Sequence, residues 1–274
     1  MFCDPQGGLL SHFLCIALRF VLDATVEHAE RAPPVAPGGA QTVALEVRSG
    51  GGAAWRLECD ALLVATGRAP NTADLGLEAA GIAFDAARGL EVDDFLRTSN
   101  DRVFAVGDCV AGTPRLTHAA GEMAKVAVQN ALFGGAWRLS SLVVPRCVYT
   151  EPELASVGET IDGATAGAAA PGGAIVEYVA PLRDNDRAIL EGESDDGGFV
   201  LVRAREASGE IVGATVLANR AGEIINELSL AIKAGLGLEA LGRNIHPYPT
   251  TGEAVMGCGL QWINSRWKTM PPRE

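Results

Sequence analysis

At 274 residues, 48% of them apolar, the chain is long enough to bury a sizeable core in one or two domains. Its formal net charge of −12 argues against a nucleic-acid or anionic-membrane partner, because counterion release needs clustered Lys and Arg. The six cysteines, Cys3, Cys15, Cys59, Cys109, Cys147 and Cys258, show neither C-x-x-C nor C-x-x-x-x-C spacing. They support no redox pair and no metal site, and each reads as a small buried hydrophobe.

In chain order, Leu9, Leu10, Phe13, Leu14, Ala17 and Leu18 fall at helical spacing, which predicts an amphipathic helix over 8–19 feeding a strand over 20–27. The apolar stretch from Leu9 to Leu22 carries His12 and Arg19, follows Asp4 rather than a basic leader, and is too short for a bilayer. It reads as neither signal peptide nor anchor, and a soluble, intracellular protein is expected. A Pro/Gly-rich loop follows over 33–39. Val43, Leu45 and Val47 then alternate as in a half-buried strand, Gly50 to Gly52 make a turn, and Trp55, Leu57 and Cys59 continue a hairpin. The run Ala61 to Thr66 reads as a strand that ends in a turn at Gly67-Arg68.

Val103 to Val106 form a short continuous apolar run, as expected of a strand buried on both faces of a parallel sheet, and Gly107 allows close backbone approach to a ligand. Asp108 stands at the carboxyl end of that run, where ligands of open α/β sheets sit. A carboxylate there accepts hydrogen bonds from a polyol, and a helix opening at Thr117 offers free N–H groups to an anion. Alone, Gly107-Asp108 also fits an ordinary turn. The helix is predicted over 117–133 with Ala120, Ala124, Val128 and Ala131 on one face, stopped by Gly134-Gly135. From Val144 onward, strand-like runs over 147–150, 175–179, 199–204 and 211–217 are followed by helices, a segregated α+β pattern. Ile224, Ile225, Leu228, Ala231 and Ile232 line one side of the helix after Asn219. The Gly/Ala-rich insertion over 163–173 reads as a low-complexity loop. Thr250-Thr-Gly-Glu253 is a capping box.

Four segments in this order, Ala61 to Asn71, Thr98 to Ala119, Tyr149 to Gly158 and His246 to Glu253, resemble the C-terminal part of the flavin-dependent pyridine nucleotide-disulfide oxidoreductases. That family includes dihydrolipoamide dehydrogenase, glutathione reductase and mercuric reductase. The resemblance implies partial doubly wound α/β domains followed by a dimerisation domain of antiparallel sheet plus helices. The implied divisions are an NAD(P)-domain remnant over 1–68, the C-terminal part of an FAD domain over 69–143, a dimerisation domain over 144–268 and a tail over 269–274. FAD and NAD(P)H are the implied cofactors. Gly107 and Asp108 match the segment that holds the ribityl chain, and Leu116, Thr117 and His118 match the helix start beside the flavin's pyrimidine edge. Gly67 and Arg68 are further implied cofactor contacts. Negative charge on a reduced flavin there would be favoured by the helix dipole by roughly 0.3 to 2 kcal/mol.

The resemblance also implies a homodimer in which the segment from His246 to Glu253 reaches across to the partner's redox disulfide. The residue before Pro-Thr in the family is usually a catalytic His oriented by a Glu five positions on; here those positions hold Tyr248 and Glu253. Tyr at this place is a feature of mercuric reductases. An unperturbed Tyr has a pKa of about 10 against about 6.5 for His, so Tyr248 is a poor general base at neutral pH. This favours a metal ion held by thiolates over deprotonation of a dithiol, leaving a small-molecule disulfide or a metal ion as the expected substrate. His246 is expected to be structural or supporting. No G-x-G-x-x-G follows a strand. The chain is therefore expected to be the trailing half of a longer enzyme incompletely recorded, or else a short non-catalytic dimerisation or regulatory subunit.

Overall fold

The computed structural model describes residues 19–33, 41–159, 173–193 and 197–267. Contacts divide the described residues into two compact units, a smaller one ending at Ala69 and a larger one that begins at Pro70.

In the smaller unit, β1 (Ala24–Ala32), β2 (Thr42–Ser49) and β3 (Trp55–Cys59) form an antiparallel meander in that order. The alternation at β2 places Leu45 and Val47 inside with Glu46 and Arg48 outside, and Val47 stands opposite Val26 on one side and Trp55 on the other. Arg48 pairs with Glu27 across β1 and β2 at 2.6 Å, and that bond holds the Glu27 carboxyl below its usual range. β1 starts later than the expected strand over 20–27. The expected helix over 8–19 lies outside the described residues except for Arg19, which is irregular. The expected strand at Ala61 to Thr66 forms no ladder, and Leu63 is 88% exposed. A strand persists only where a neighbour takes its N–H and C=O groups, and no neighbour among the described residues does so here.

The larger unit begins with a loop-rich layer. Its two short strands, β4 (Phe84–Asp85) and β5 (Gly89–Leu90), pair antiparallel, and a single 3-10 turn at Gly107–Cys109 precedes helix α1 (Thr117–Leu132). Their shared core holds Leu77, Ile82, Leu90, Leu96, Ala105, Val110, Met123, Val126 and Ala127. Two expectations need correction. Val103 to Val106 make only an isolated bridge, Arg97 to Phe104, instead of a central strand, again because no flanking strand among the described residues pairs with them. The buried face of α1 is Ala119, Met123, Val126, Ala127 and Asn130, while Val128 on the expected face is 49% exposed. Asn130 is accommodated inside because its amide donates to the Phe95 and Trp137 carbonyls and its oxygen accepts from Trp137 N.

After Val144 an antiparallel sheet of five strands has the order β6-β7-β10-β9-β8. The strands are β6 (Arg146–Val148), β7 (Glu153–Gly158), β8 (Ile175–Pro181), β9 (Phe199–Arg205) and β10 (Ile211–Ala218). The helices are α2 (Asp186–Glu191), α3 (Ala221–Lys233), α4 (Leu238–Arg243) and α5 (Glu253–Trp267). On α3, Ile225, Leu228 and Ala231 are buried, with Ile224 and Ile232 at the margin of the same core. That core also contains Val200, Val202 and Val216 from the sheet and Val255, Cys258 and Trp262 from α5. Most of the insertion over 163–173 lies outside the described residues. The mixed α/β and α+β architecture agrees with the expected fold class.

Candidate functional site

The first constellation surrounds the start of α1. Gly107 is buried with a φ of 78°, a conformation that favours glycine, and a Cβ added to it would come within 3.2 Å of the Ala120 Cβ, so a side chain there would press on the first turn of α1. Asp108 next to it is exposed, and among the described residues nothing hydrogen-bonds or ion-pairs with its carboxylate. Leu116 caps α1 with no side-chain bond, and no acid occupies the first turn. The leading N–H groups of the helix are thus left for an external acceptor, and its dipole favours an anion there. His118 Nε2 lies 2.8 Å from the Pro145 carbonyl, tying the helix start to the segment that leads into β6. A free carboxylate beside uncapped amides at a glycine turn fits the polyol and anionic parts of a flavin dinucleotide. Gly67, with a φ of 102°, and Arg68 are both exposed and belong to the smaller unit.

The second constellation is the segment before α5. Tyr248 is 72% exposed, and its hydroxyl donates to Asp186 Oδ2 at 2.7 Å. This hydrogen bond, then the Asp186 charge itself, pushes the Tyr248 phenol above its usual pKa, with smaller contributions from burial and Glu253. Glu253 does not bond Tyr248; its Oε2 accepts from Thr250 N at 3.1 Å, while Thr250 Oγ1 donates to the Pro247 carbonyl at 2.8 Å. Asn185 joins the segment to α2. Its Oδ1 caps the helix by accepting from Ala188 N at 3.0 Å, and its Nδ2 donates to the Thr250 carbonyl at 3.1 Å. His246 turns elsewhere: Nε2 is 3.1 Å from both Glu227 oxygens and Nδ1 is 3.1 Å from the Asn244 carbonyl, with the side chain only 7% exposed. Both partners are acceptors, so no ring nitrogen is left for substrate.

Tyr248 and Glu253 border one cleft of about 360 Å³ together with Asp184, Asp186 and Met256. His246 does not line that cleft. Asp186, Asn185 and Glu227 were not among the residues the sequence singled out. The one local signal was the Asn-Asp pair opening the short helical run at Arg187 to Leu190, a capping pattern.

The described fold thus sets a loop-rich layer, with its glycine turn ahead of α1, beside a five-stranded antiparallel α+β domain. The pattern for "Pyridine nucleotide-disulphide oxidoreductase" matches residues 18–124, and that family's dimerisation domain matches 144–257. The dihydrolipoyl dehydrogenase of Staphylococcus aureus is 42% identical over 215 residues, covering 78% of this chain and 44% of the relative. The mitochondrial dihydrolipoyl dehydrogenase of Dictyostelium discoideum is 36% identical over 220 residues, 79% of this chain and 43% of that protein. Among solved structures, LpdA from Mycobacterium tuberculosis superposes with a TM-score of 0.78 at 25% identity, over 95% of this chain and 53% of LpdA. RclA, a flavoprotein disulfide reductase from Escherichia coli solved as a Cu(II) complex, gives 0.70 at 26% identity over 86% of this chain and 50% of RclA. The chain belongs to the pyridine nucleotide-disulphide oxidoreductase family, whose cofactors are FAD and NAD(P)H. It spans less than half the length of these curated relatives. Among the described residues, no helix is long and apolar enough to cross a membrane.

Proposed function

We propose that the chain is the flavin-contacting and dimer-forming part of an NAD(P)H-dependent oxidoreductase that reduces a disulfide or a thiolate-held metal ion. The observation that carries this reading is the exposed Asp108 carboxylate, without a partner among the described residues, beside the uncapped start of α1. Gly107 and Asp108 would hold the ribityl chain, and Leu116, Thr117 and His118 would border the ring, with Gly67 and Arg68 as outlying contacts. When bound, FAD supplies the relay of electrons from nicotinamide to the sulfur or metal acceptor. In this reading residues 1–68 are an NAD(P)-domain remnant, 69–143 the end of the FAD domain, 144–268 the dimerisation domain and 269–274 a tail. Two copies associate, and each presents Tyr248 and Glu253 to its partner, with His246 as a buttress held by Glu227.

The Tyr248 phenol, pushed up by Asp186, stays protonated at neutral pH and does not take a proton from a dithiol. Slow dihydrolipoamide oxidation and faster NAD(P)H-driven reduction of a disulfide or metal ion are the outcome expected of the flavin-loaded enzyme. The structure of RclA with Cu(II) offers a relative in which a metal ion meets this architecture. To test the cofactor contact, FAD retention is measured by flavin absorbance and equilibrium titration in the parent and in Asp108→Ala. Loss of a charge-assisted hydrogen bond worth ~1.5 kcal/mol weakens binding at least about tenfold. Equal affinity in both proteins would remove Asp108 from the site.

A second reading, a non-catalytic interaction module, is favoured by the exposed run Leu62, Leu63 and Val64, at 42, 88 and 72% exposure. A flavin-free, stably associated protein in the same titration would support it.

A further inference from the structure

We propose that Asp186 is a positioning residue for Tyr248, fixing the phenol's proton away from the substrate and presenting the oxygen's lone pairs to it. This rests on reading His246 to Glu253 as the active-site segment. Tyr248 Oη lies 2.7 Å from Asp186 Oδ2, and an ionised carboxylate is an acceptor only, so the phenol is the donor in that bond. A phenol has one proton. With that proton committed to Asp186, Tyr248 offers a bound substrate only an electron-pair donor.

The acid is itself held in place. It opens α2, whose preceding residue Asn185 both caps the helix and grips the Thr250 carbonyl, so one loop-to-helix junction fixes the phenol's partner and the phenol's own segment. Glu253 is engaged with Thr250 N and is not available for the role. The groups facing the phenol are acidic: Asp184, Asp186 and Glu253 line its cleft, and no Lys or Arg does. Such a phenol suits a substrate that brings a hydrogen-bond donor or a positive centre, such as a protonated thiol, an ammonium group or a thiolate-bound cation. It does not suit a developing oxyanion, which needs a donor.

The test is an ultraviolet titration of tyrosinate in the parent protein, Tyr248→Phe, Asp186→Asn and Asp186→Glu, with circular dichroism recorded at each pH to confirm the fold. The transition missing from Tyr248→Phe is that of Tyr248. Expected is a shift of this transition to lower pH in Asp186→Asn, with several-fold more tyrosinate at a fixed alkaline pH, and a return upward in Asp186→Glu. Coincident transitions in the parent and Asp186→Asn overturn the proposal. If Asp186→Asn does not fold, carbon-labelled tyrosine followed by NMR in the parent decides. A Tyr248 ring signal that titrates above the range of free tyrosine upholds the pair, and one within or below that range overturns it. The titration needs no flavin and no turnover, so its failure is separate from a failure to find oxidoreductase activity, which bears on the functional reading alone.

Discussion

Burial decides which thiols of this chain are chemically alive. Cys258 sits in the core between α5 and the sheet, facing the Tyr178 and Val200 carbonyls, and burial pushes its thiol up to about 12. Cys147 is also raised, first by burial and then by the nearby Glu153 charge. Since the thiolate is the nucleophile, Cys258 is expected to stay unmodified by a water-soluble alkylating agent near pH 8 in the folded protein while denatured chain labels fully. Peptide mass spectrometry checks this, and equal labelling in both states would contradict the packing. At the same scale, the sequence made the local part of the site legible and hid the rest. The Thr250 to Glu253 box closes across three positions and is seen as a pattern, whereas Asp186 reaches Tyr248 across 62 positions and Glu227 reaches His246 across 19. No periodicity or capping rule links residues so far apart.

Elements differ in how much of their partner is encoded in themselves. β2 and α3 each carry one main apolar stripe, and its central residues, Leu45 and Val47 on β2 and Ile225, Leu228 and Ala231 on α3, are buried as their spacing indicates. α1 is apolar on more than one side, so spacing alone gives two candidate faces, and the one that packs includes a polar residue, Asn130, satisfied by carbonyls from other segments. The runs at Ala61 to Thr66 and Val103 to Val106 have strand composition, yet a strand is completed by its neighbours and not by its own residues. The crossing of α4 and α5 is a case where two residues suffice. Gly242 faces Gly259, and a Cβ built on either meets the other helix's backbone inside van der Waals contact. Gly259→Ala is expected to destabilise the fold by roughly 1 to 3 kcal/mol through overpacking. Urea unfolding reads this as a lower midpoint at unchanged slope. An unchanged midpoint would mean that the two helices separate freely.

At the scale of the whole molecule, an excess of acid makes stability depend on how each carboxylate is placed. Most of the perturbed ones are held below their usual range: Asp94 first by the Ser140 amide, Asp85 by the Arg88 amide, and Glu191 by the Arg187 guanidinium. Each contributes stability that is present above its unfolded pKa and is lost as pH falls through the folded one. Glu193 runs the other way. It is only 6% exposed, and burial first, then the hydrogen bond with Glu191, raises its carboxyl above the usual value. Its contribution is fully present below the unfolded carboxylate pKa of about 4.3 and is lost as pH rises through the folded value. Glu193→Gln removes the ionisation while keeping the shape and a hydrogen-bonding amide. Thermal melts at a series of pH values should therefore show no advantage for the variant in the acid range, and a growing advantage toward neutrality once the parent must ionise a buried acid. A constant offset between the two proteins at every pH would assign the difference to packing, and a variant less stable at neutral pH would show that the ionised Glu193 is paired rather than penalised.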